Sequence, residues 1–264
     1  MIILITGITS GFGRAMAEQL KADGHTVYGT HRKDVETIPG VNYIKADVRN
    51  EEDCRNAVQH VLDEQGRIDV FINNAGMGIG GPLEFSTIQQ AETQMDTNWM
   101  GMVRCLHYVL PAMRAQKSGK IICFSSIGGL MGLPFQGLYS ASKFAIEGYC
   151  EALRMEVRAH GIQVVVIEPG DFATGFTASR DSVAVKEACE AYPSYERSLA
   201  SIEHDETSGL KPEYLAKRIS KIVKARKPKY SYIISTLEQR LSVLLKAILP
   251  ASWFEAILRS YYKL

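Results

Sequence analysis

Short apolar runs alternate along this chain with longer stretches in which apolar residues return every three or four positions. Ile2 to Ile5, His25 to Gly29, Val41 to Ala46, Val70 to Asn73, Lys120 to Phe124 and Gln163 to Glu168 have strand length and are mostly apolar. They lack the polar alternation of a half-solvated strand, so both faces are expected to be buried. Helical periods lie between them. After the first run, Ala15, Met16, Leu20 and Ala22 recur near a 3.6-residue repeat, while Arg14, Glu18 and Lys21 fall elsewhere. This βαβα alternation predicts one domain of doubly wound α/β class, its parallel sheet covered on both faces by right-handed crossovers.

The regularity stops after Glu168-Pro169-Gly170. The residues up to Leu210 are mixed polar and small, and a further helix and a short strand, Tyr230 to Ser235, follow them. At the carboxyl edge of a parallel sheet, residues 171–210 are expected to form a lid. From Leu237 the pattern changes again: Leu237, Leu241, Leu244 and Ile248 make one apolar stripe, Pro250 breaks it, and Trp253, Phe254, Ile257, Leu258 and Tyr261 make a second. The expected division is therefore a domain over 1–235 with an amphipathic helical extension over 236–264. Such a hairpin suits a membrane surface, a cover for a pocket or a subunit interface.

Composition narrows the partners. With 264 residues a single large core is the default, and 30 Lys and Arg against 29 Asp and Glu give a net charge of +1. No global field draws this chain to nucleic acid. Cys54, Cys105, Cys123, Cys150 and Cys189 are scattered without a CxxC pair, as reduced thiols of a cytoplasmic protein are. The histidines lack metal-ligand spacing, so no metal is expected. Thr6-Gly7 cuts the first apolar run far below the roughly 20 residues of a membrane span.

The candidate chemistry starts at Thr6-Gly7-Ile8-Thr9-Ser10-Gly11-Phe12-Gly13. A strand that enters a glycine turn and then a helix aims unpaired N–H groups and the positive end of the helix dipole at one point, which suits a pyrophosphate. The spacing of Gly7, Gly11 and Gly13 is not the GxGxxG fingerprint. Other motifs fall at the carboxyl ends of strands or just beyond: Asp47-Val48, Asn73-Asn74-Ala75-Gly76, Ser125-Ser126, Tyr139-x-x-x-Lys143 and Pro169-Gly170. Together they resemble the short-chain dehydrogenase/reductase family over roughly residues 1 to 235.

That resemblance implies a Rossmann-type fold and a nicotinamide dinucleotide. The cofactor contacts it implies are Gly7, Thr9, Ser10, Gly11, Phe12, Gly13, Asp47, Val48, Asn74, Ala75, Gly76, Pro169, Gly170, Phe172 and Thr174, together with Tyr139 and Lys143. Where an NAD-preferring member carries an acid after the second strand, this chain has His31, and Arg32 beside it offers a fork of donors to a 2′-phosphate. NADP(H) is expected.

Hydride transfer between a carbonyl and an alcohol needs a proton donor, a hydrogen bond to the oxygen and a group that tunes the donor. Tyr139 and Lys143, one helical turn apart, supply the first and the last, and the ammonium and the oxidised nicotinamide ring between them are expected to bring the phenol down from about 10 toward neutrality. By the resemblance, Ser126 holds the substrate oxygen and Asn98 orders a water beside the lysine. The stretch from Ser126 to Ala145, with Ala225 to Tyr230, is similar to the branch holding 17β-hydroxysteroid and retinol dehydrogenases. Leu130, Met131, Leu133 and Phe135 are expected near the reacting carbon, which suits an apolar substrate such as a steroid, a retinoid or a long-chain ketone like 3-ketosphinganine. The rival class is a non-catalytic dinucleotide-binding sensor or scaffold, disfavoured because Tyr139 and Lys143 are both present. The family also implies a homodimer or homotetramer paired through the helices carrying Asn98 and Tyr139.

Overall fold

In a computed structural model that describes residues 1–33, 36–183 and 186–264, the chain begins with β1 (Ile2–Ile5), α1 (Gly11–Ala22), β2 (Thr26–His31), β3 (Asn42–Lys45) and α2 (Glu51–Gln65). Next come β4 (Val70–Asn73), the two-residue β5 (Ile79–Gly80), α3 (Ile88–Met95), α4 (Gly101–Gln116), β6 (Gly119–Phe124), α5 (Gly137–Val157) and β7 (Ile162–Pro169). The remainder holds β8 (Asp181–Ser182), α6 (Lys186–Ala191), α7 (Tyr195–Ser208), α8 (Pro212–Lys224), β9 (Ser231–Ile234), α9 (Leu237–Ile248) and α10 (Ala251–Tyr261).

Seven strands form one parallel sheet in the order β3-β2-β1-β4-β6-β7-β9. Side chains alternate across it. Ile3 and Ile5 enter one core with Met16, Leu20, Leu215 and Ile219, while Leu4 and Phe71 enter the other with Val58, Leu106 and Val109. Burying each such side chain contributes about 1.5–3 kcal/mol, so the two layers fix the sheet from both faces. The strand order reverses between β1 and β4, which opens a crevice at their carboxyl ends.

Helix ends show which termini are closed and which are left open. The Asn50 side chain accepts from the N–H groups of Glu52 and Asp53 at the start of α2, and Thr87 forms a reciprocal cap with Gln90 at the start of α3. Ser10, before α1, makes no side-chain cap bond, so the first N–H groups of α1 face the crevice mouth unclaimed by it. Between α3 and α4 the helix passes through a π-turn, Asp96–Met100, which contains Asn98. Such turns occur often at functional sites.

Lys120 of β6 is buried, and its Nζ donates to the carbonyls of Ile222, Val223 and Ala225 at the end of α8, 2.7–2.9 Å away. Burial lowers its pKa to about 8. All five cysteines are free, four of them buried. Among the described residues no helix is long and apolar enough to cross a membrane, and no acid, histidine or cysteine cluster suits a metal.

Candidate active site

The glycine turn is built around contacts that leave no room for side chains. Gly7 has φ +71°, and a Cβ on Gly13 would overlap the carbonyl oxygen of Gly7. Asn74 clasps this turn, its Nδ2 donating to the carbonyls of Thr6 and Gly7 at 2.9 and 2.8 Å. The Thr6 hydroxyl accepts from the N–H groups of Asn74 and Ala75, both at 3.0 Å. Thr6, the first residue of the glycine motif but not among the expected cofactor contacts, is thus a structural member of the site. Its signal was its place directly before Gly7.

With Thr9 half-buried and Ser10 exposed at the rim, the turn presents open N–H groups to the crevice, a cradle that fits a dinucleotide pyrophosphate. Gly11 lies against Thr174, where a Cβ would touch the threonine at 3.5 Å. At the end of β2, Arg32 is half-exposed, with Nη1 3.9 Å from Asp47, whose carboxylate Arg49 holds more closely at 2.7 Å. His31 Nδ1 lies 2.9 Å from the Lys33 carbonyl oxygen, and its ring stands edge-on to Tyr43. Val48 is buried against Gly101.

One cavity of about 610 Å³ gathers the remaining candidates. Phe12, Asn74, Gly76 and Ser126 line it, with Tyr139, Lys143, Pro169, Gly170, Phe172 and Thr174. Phe12 packs between Phe124 and Phe172, at ring distances of 5.9 and 4.9 Å. Of the four apolar residues expected near the reacting carbon, Met131 and Leu133 line the cavity. Leu130 and Phe135 do not: Phe135 takes φ +57° and turns its ring onto Tyr195 instead.

Lys143 Nζ stands 5.5 Å from the Tyr139 ring centre and donates to the Phe124 carbonyl at 2.8 Å. The two share a helix face as expected, but the expected fall in the phenol pKa is not produced by the chain alone. Burial pushes Tyr139 up to about 12; a hydrogen bond from Ser126 and the charge of Arg180 oppose that rise, while Glu206 and Asp171 add to it. Burial likewise brings Lys143 down to about 8. Desolvation penalises both charged forms more than their neighbourhood rewards them.

Ser126 Oγ accepts from the Gly128 N–H at 3.0 Å and faces Tyr139, whereas Ser125 Oγ turns toward the Lys143 carbonyl. Asn98 is committed on three sides: Nδ2 donates to the Met77 carbonyl and to Ser142 Oγ, and Oδ1 accepts from the Met77 N–H, all within 3.0 Å. Its side chain pins the strand exit after β4 beside α5.

Beyond Tyr139 the cavity lining combines two unlike sets of residues. Ile202 of α7, Leu241 and Leu245 of α9 and Ile257 and Leu258 of α10 make an apolar funnel. Asp171, Asp205 and Glu206 make an acidic wall. Asp171 accepts from Gln239 Nε2 at 2.5 Å, Asp205 from the Tyr261 hydroxyl at 2.6 Å, and Glu206 from Thr177 and from Arg180. Burial, with Glu206 and Asp205 nearby, raises Asp171 to about 7.

Residues 1–184 match the family model described as short chain dehydrogenase. The chain is 48% identical over 262 residues to a 3-ketodihydrosphingosine reductase of Bacteroides thetaiotaomicron, covering 99% of this chain and 97% of that one. It is 38% identical over 192 residues to human 17-beta-hydroxysteroid dehydrogenase type 1, a match over 66% of this chain and 58% of the other. Among solved structures, a short-chain dehydrogenase from Streptomyces avermitilis superposes with a TM-score of 0.81 at 28% identity, covering 99% of this chain and 96% of its own. The chain belongs to the short-chain dehydrogenase family and is an oxidoreductase acting on carbonyl and alcohol groups.

Proposed function

We propose that the chain reduces the ketone of a long-chain sphingoid base, 3-ketodihydrosphingosine, with NADPH. The observation that carries this reading is the apolar funnel of α7, α9 and α10 leading to Tyr139, in a chain alike from end to end to a reductase of that name. A bound reduced nicotinamide supplies the hydride to the carbonyl carbon. The chain supplies the rest: Ser126 holds the carbonyl oxygen, Tyr139 gives that oxygen its proton, and Lys143 sits beside the phenol to stabilise the phenolate left behind.

The glycine turn and the N-terminus of α1 take the pyrophosphate, and Arg32, loosely held by Asp47, takes the 2′-phosphate. One charged contact of that kind is worth about 1.5–3 kcal/mol. Arg32→Ala is therefore expected to lose NADPH affinity selectively, and His31→Asp to move preference toward NADH by like-charge repulsion. Equal affinity of the unmodified protein for both cofactors sinks the argument. The exposed apolar face of α9 and α10 rests on a membrane surface, from which a lipid reaches the funnel without crossing water. The protein works from the cytoplasm as a dimer or tetramer.

A panel of 3-ketosphinganine, a steroid ketone, retinal and a short ketone, followed by NADPH absorbance, tests the substrate. The long-chain ketone is expected to have the highest kcat/KM. A preference for the steroid or retinal defeats the reading.

A further inference from the structure

We infer that Asp171, with Asp205 beside it, binds a protonated amino group on the carbon next to the reacting carbonyl, so that the site selects cationic 2-amino ketones. This inference rests on the function proposed above and names the group by which that substrate is told from neutral ketones.

Reduction itself gives no reason for these acids. Carboxylates near Tyr139 oppose its ionisation, and Asp171 and Glu206 both do so here. Of the three on this wall, Glu206 has a cation of its own in Arg180, while Asp171 and Asp205 are in no salt bridge among the described residues. Each is tied by one neutral donor, Gln239 or Tyr261, and those donors come from the helices that also build the funnel. A steroid or retinal carbonyl brings no charge to this wall and leaves the two carboxylates with their neutral donors alone.

Behind the acids lies Arg180, which does not line the cavity and pairs with Glu206. The Arg180 side chain is 3% exposed, and its Nη2 holds Glu206. Its Nη1 is buried with no hydrogen-bond partner. A sphingoid head group answers the two carboxylates, because its ammonium offers donors to both. The ammonium also adds a positive charge near Tyr139, opposing the two acids that raise it. Asp171, held up to about 7 by burial and its acidic neighbours, is driven to its ionised form by such a partner.

The test compares 3-ketosphinganine with its deaminated analogue, 1-hydroxyoctadecan-3-one, in the unmodified protein and in Asp171→Asn and Asp205→Asn. Asparagine keeps an acceptor for Gln239 or Tyr261, and NADPH binding by fluorescence serves as the folding control. The unmodified protein is expected to favour the amino ketone by about 30-fold or more in kcat/KM, the range of one charged hydrogen bond. Asp171→Asn is expected to erase most of that preference by raising KM for the amino ketone far more than for the deaminated one. Equal use of both ketones by the unmodified protein, or equal loss of both in Asp171→Asn, overturns the inference while ketone reduction stands. Reduction of neither overturns the proposed function and this inference with it.

Discussion

Tyr139 must give up a proton that its surroundings hold tightly, so its role is open to a sharp substitution. Tyr139→Phe is expected to lower kcat by about 10²–10⁴-fold while the NADPH dissociation constant stays within a few-fold, because the hydroxyl acts on the proton and not on the dinucleotide. Single-turnover kinetics and a binding titration check the two halves. Glu168 offers a different experiment. It is 3% exposed, its Oε2 has no partner, and burial with Glu147 nearby raises it to about 7. A carboxyl whose folded pKa exceeds its unfolded value near 4.5 binds its proton more tightly when folded. Its stabilising contribution is full below pH 4.5 and is lost as pH rises through about 7. Asp171 acts in the same direction. Melting temperature should therefore fall between pH 5 and 8, and Glu168→Gln should remove part of that fall, worth up to about 3 kcal/mol. A slope unchanged by the substitution contradicts the assignment. Ser126, Tyr139 and Lys143, which line one cavity, were legible from their spacing, whereas Asn98 came from the family resemblance and its side chain is taken up by Met77 and Ser142. Asp171, Asp205 and Glu206 were not, since Asp171 lies far from the other two in the sequence and only the fold brings them to one wall.

Whole elements were legible wherever burial is two-sided. The six early strands and the one at 231–234 fall where their apolar runs lie, with ends shifted by a residue or two. The pair β5 and β8 carries two residues a strand, too few for any period to register. The lid region holds more regular structure than its mixed composition suggested: Tyr195, Ser198 and Ile202 form the buried stripe of α7, but only Tyr195 and Ile202 are apolar. The two C-terminal helices fall where their apolar stripes lie, and residues of both line the cavity. Removing residues 237–264 takes away Gln239, the partner of Asp171, and the walls Leu241, Leu245, Ile257 and Leu258. The truncated chain is expected to bind NADPH and reduce a small water-soluble ketone, while KM for the long-chain ketone rises at least about 10-fold, as several lost apolar contacts require. Collapse of NADPH binding would show instead that the tail holds the sheet together.

Seen as a whole, the molecule leaves two kinds of surface open. Leu237, Leu241, Leu244, Ile248, Trp253, Ile257 and Tyr261 are exposed on α9 and α10, among Arg240, Lys246, Arg259 and Lys263. Each basic residue near an anionic surface adds about 1 kcal/mol, so co-sedimentation with phosphatidylserine-containing vesicles is expected, weakening in high salt and disappearing in the truncated chain. Full solubility beside such vesicles removes the membrane from the account. On α5, Phe144 is 46% and Met155 67% exposed. They lie about three turns apart on one face, with the bare backbone of Gly148 between. Light scattering is expected to give a dimer or tetramer mass, and Met155→Asp to lower it.

A cavity lined by both acids and apolar side chains gives the head and the tail of an amphiphile different places to rest. With the charged head at Asp171 and the hydrocarbon toward Leu245, the trigonal carbon beside Tyr139 turns one prochiral face to the nicotinamide and the opposite face to the protein. The alcohol should then form with one configuration at its new stereocentre, and chiral chromatography of the product should return a single peak. Neutralising the acid frees the head to turn over, so Asp171→Asn should produce both configurations from the same ketone.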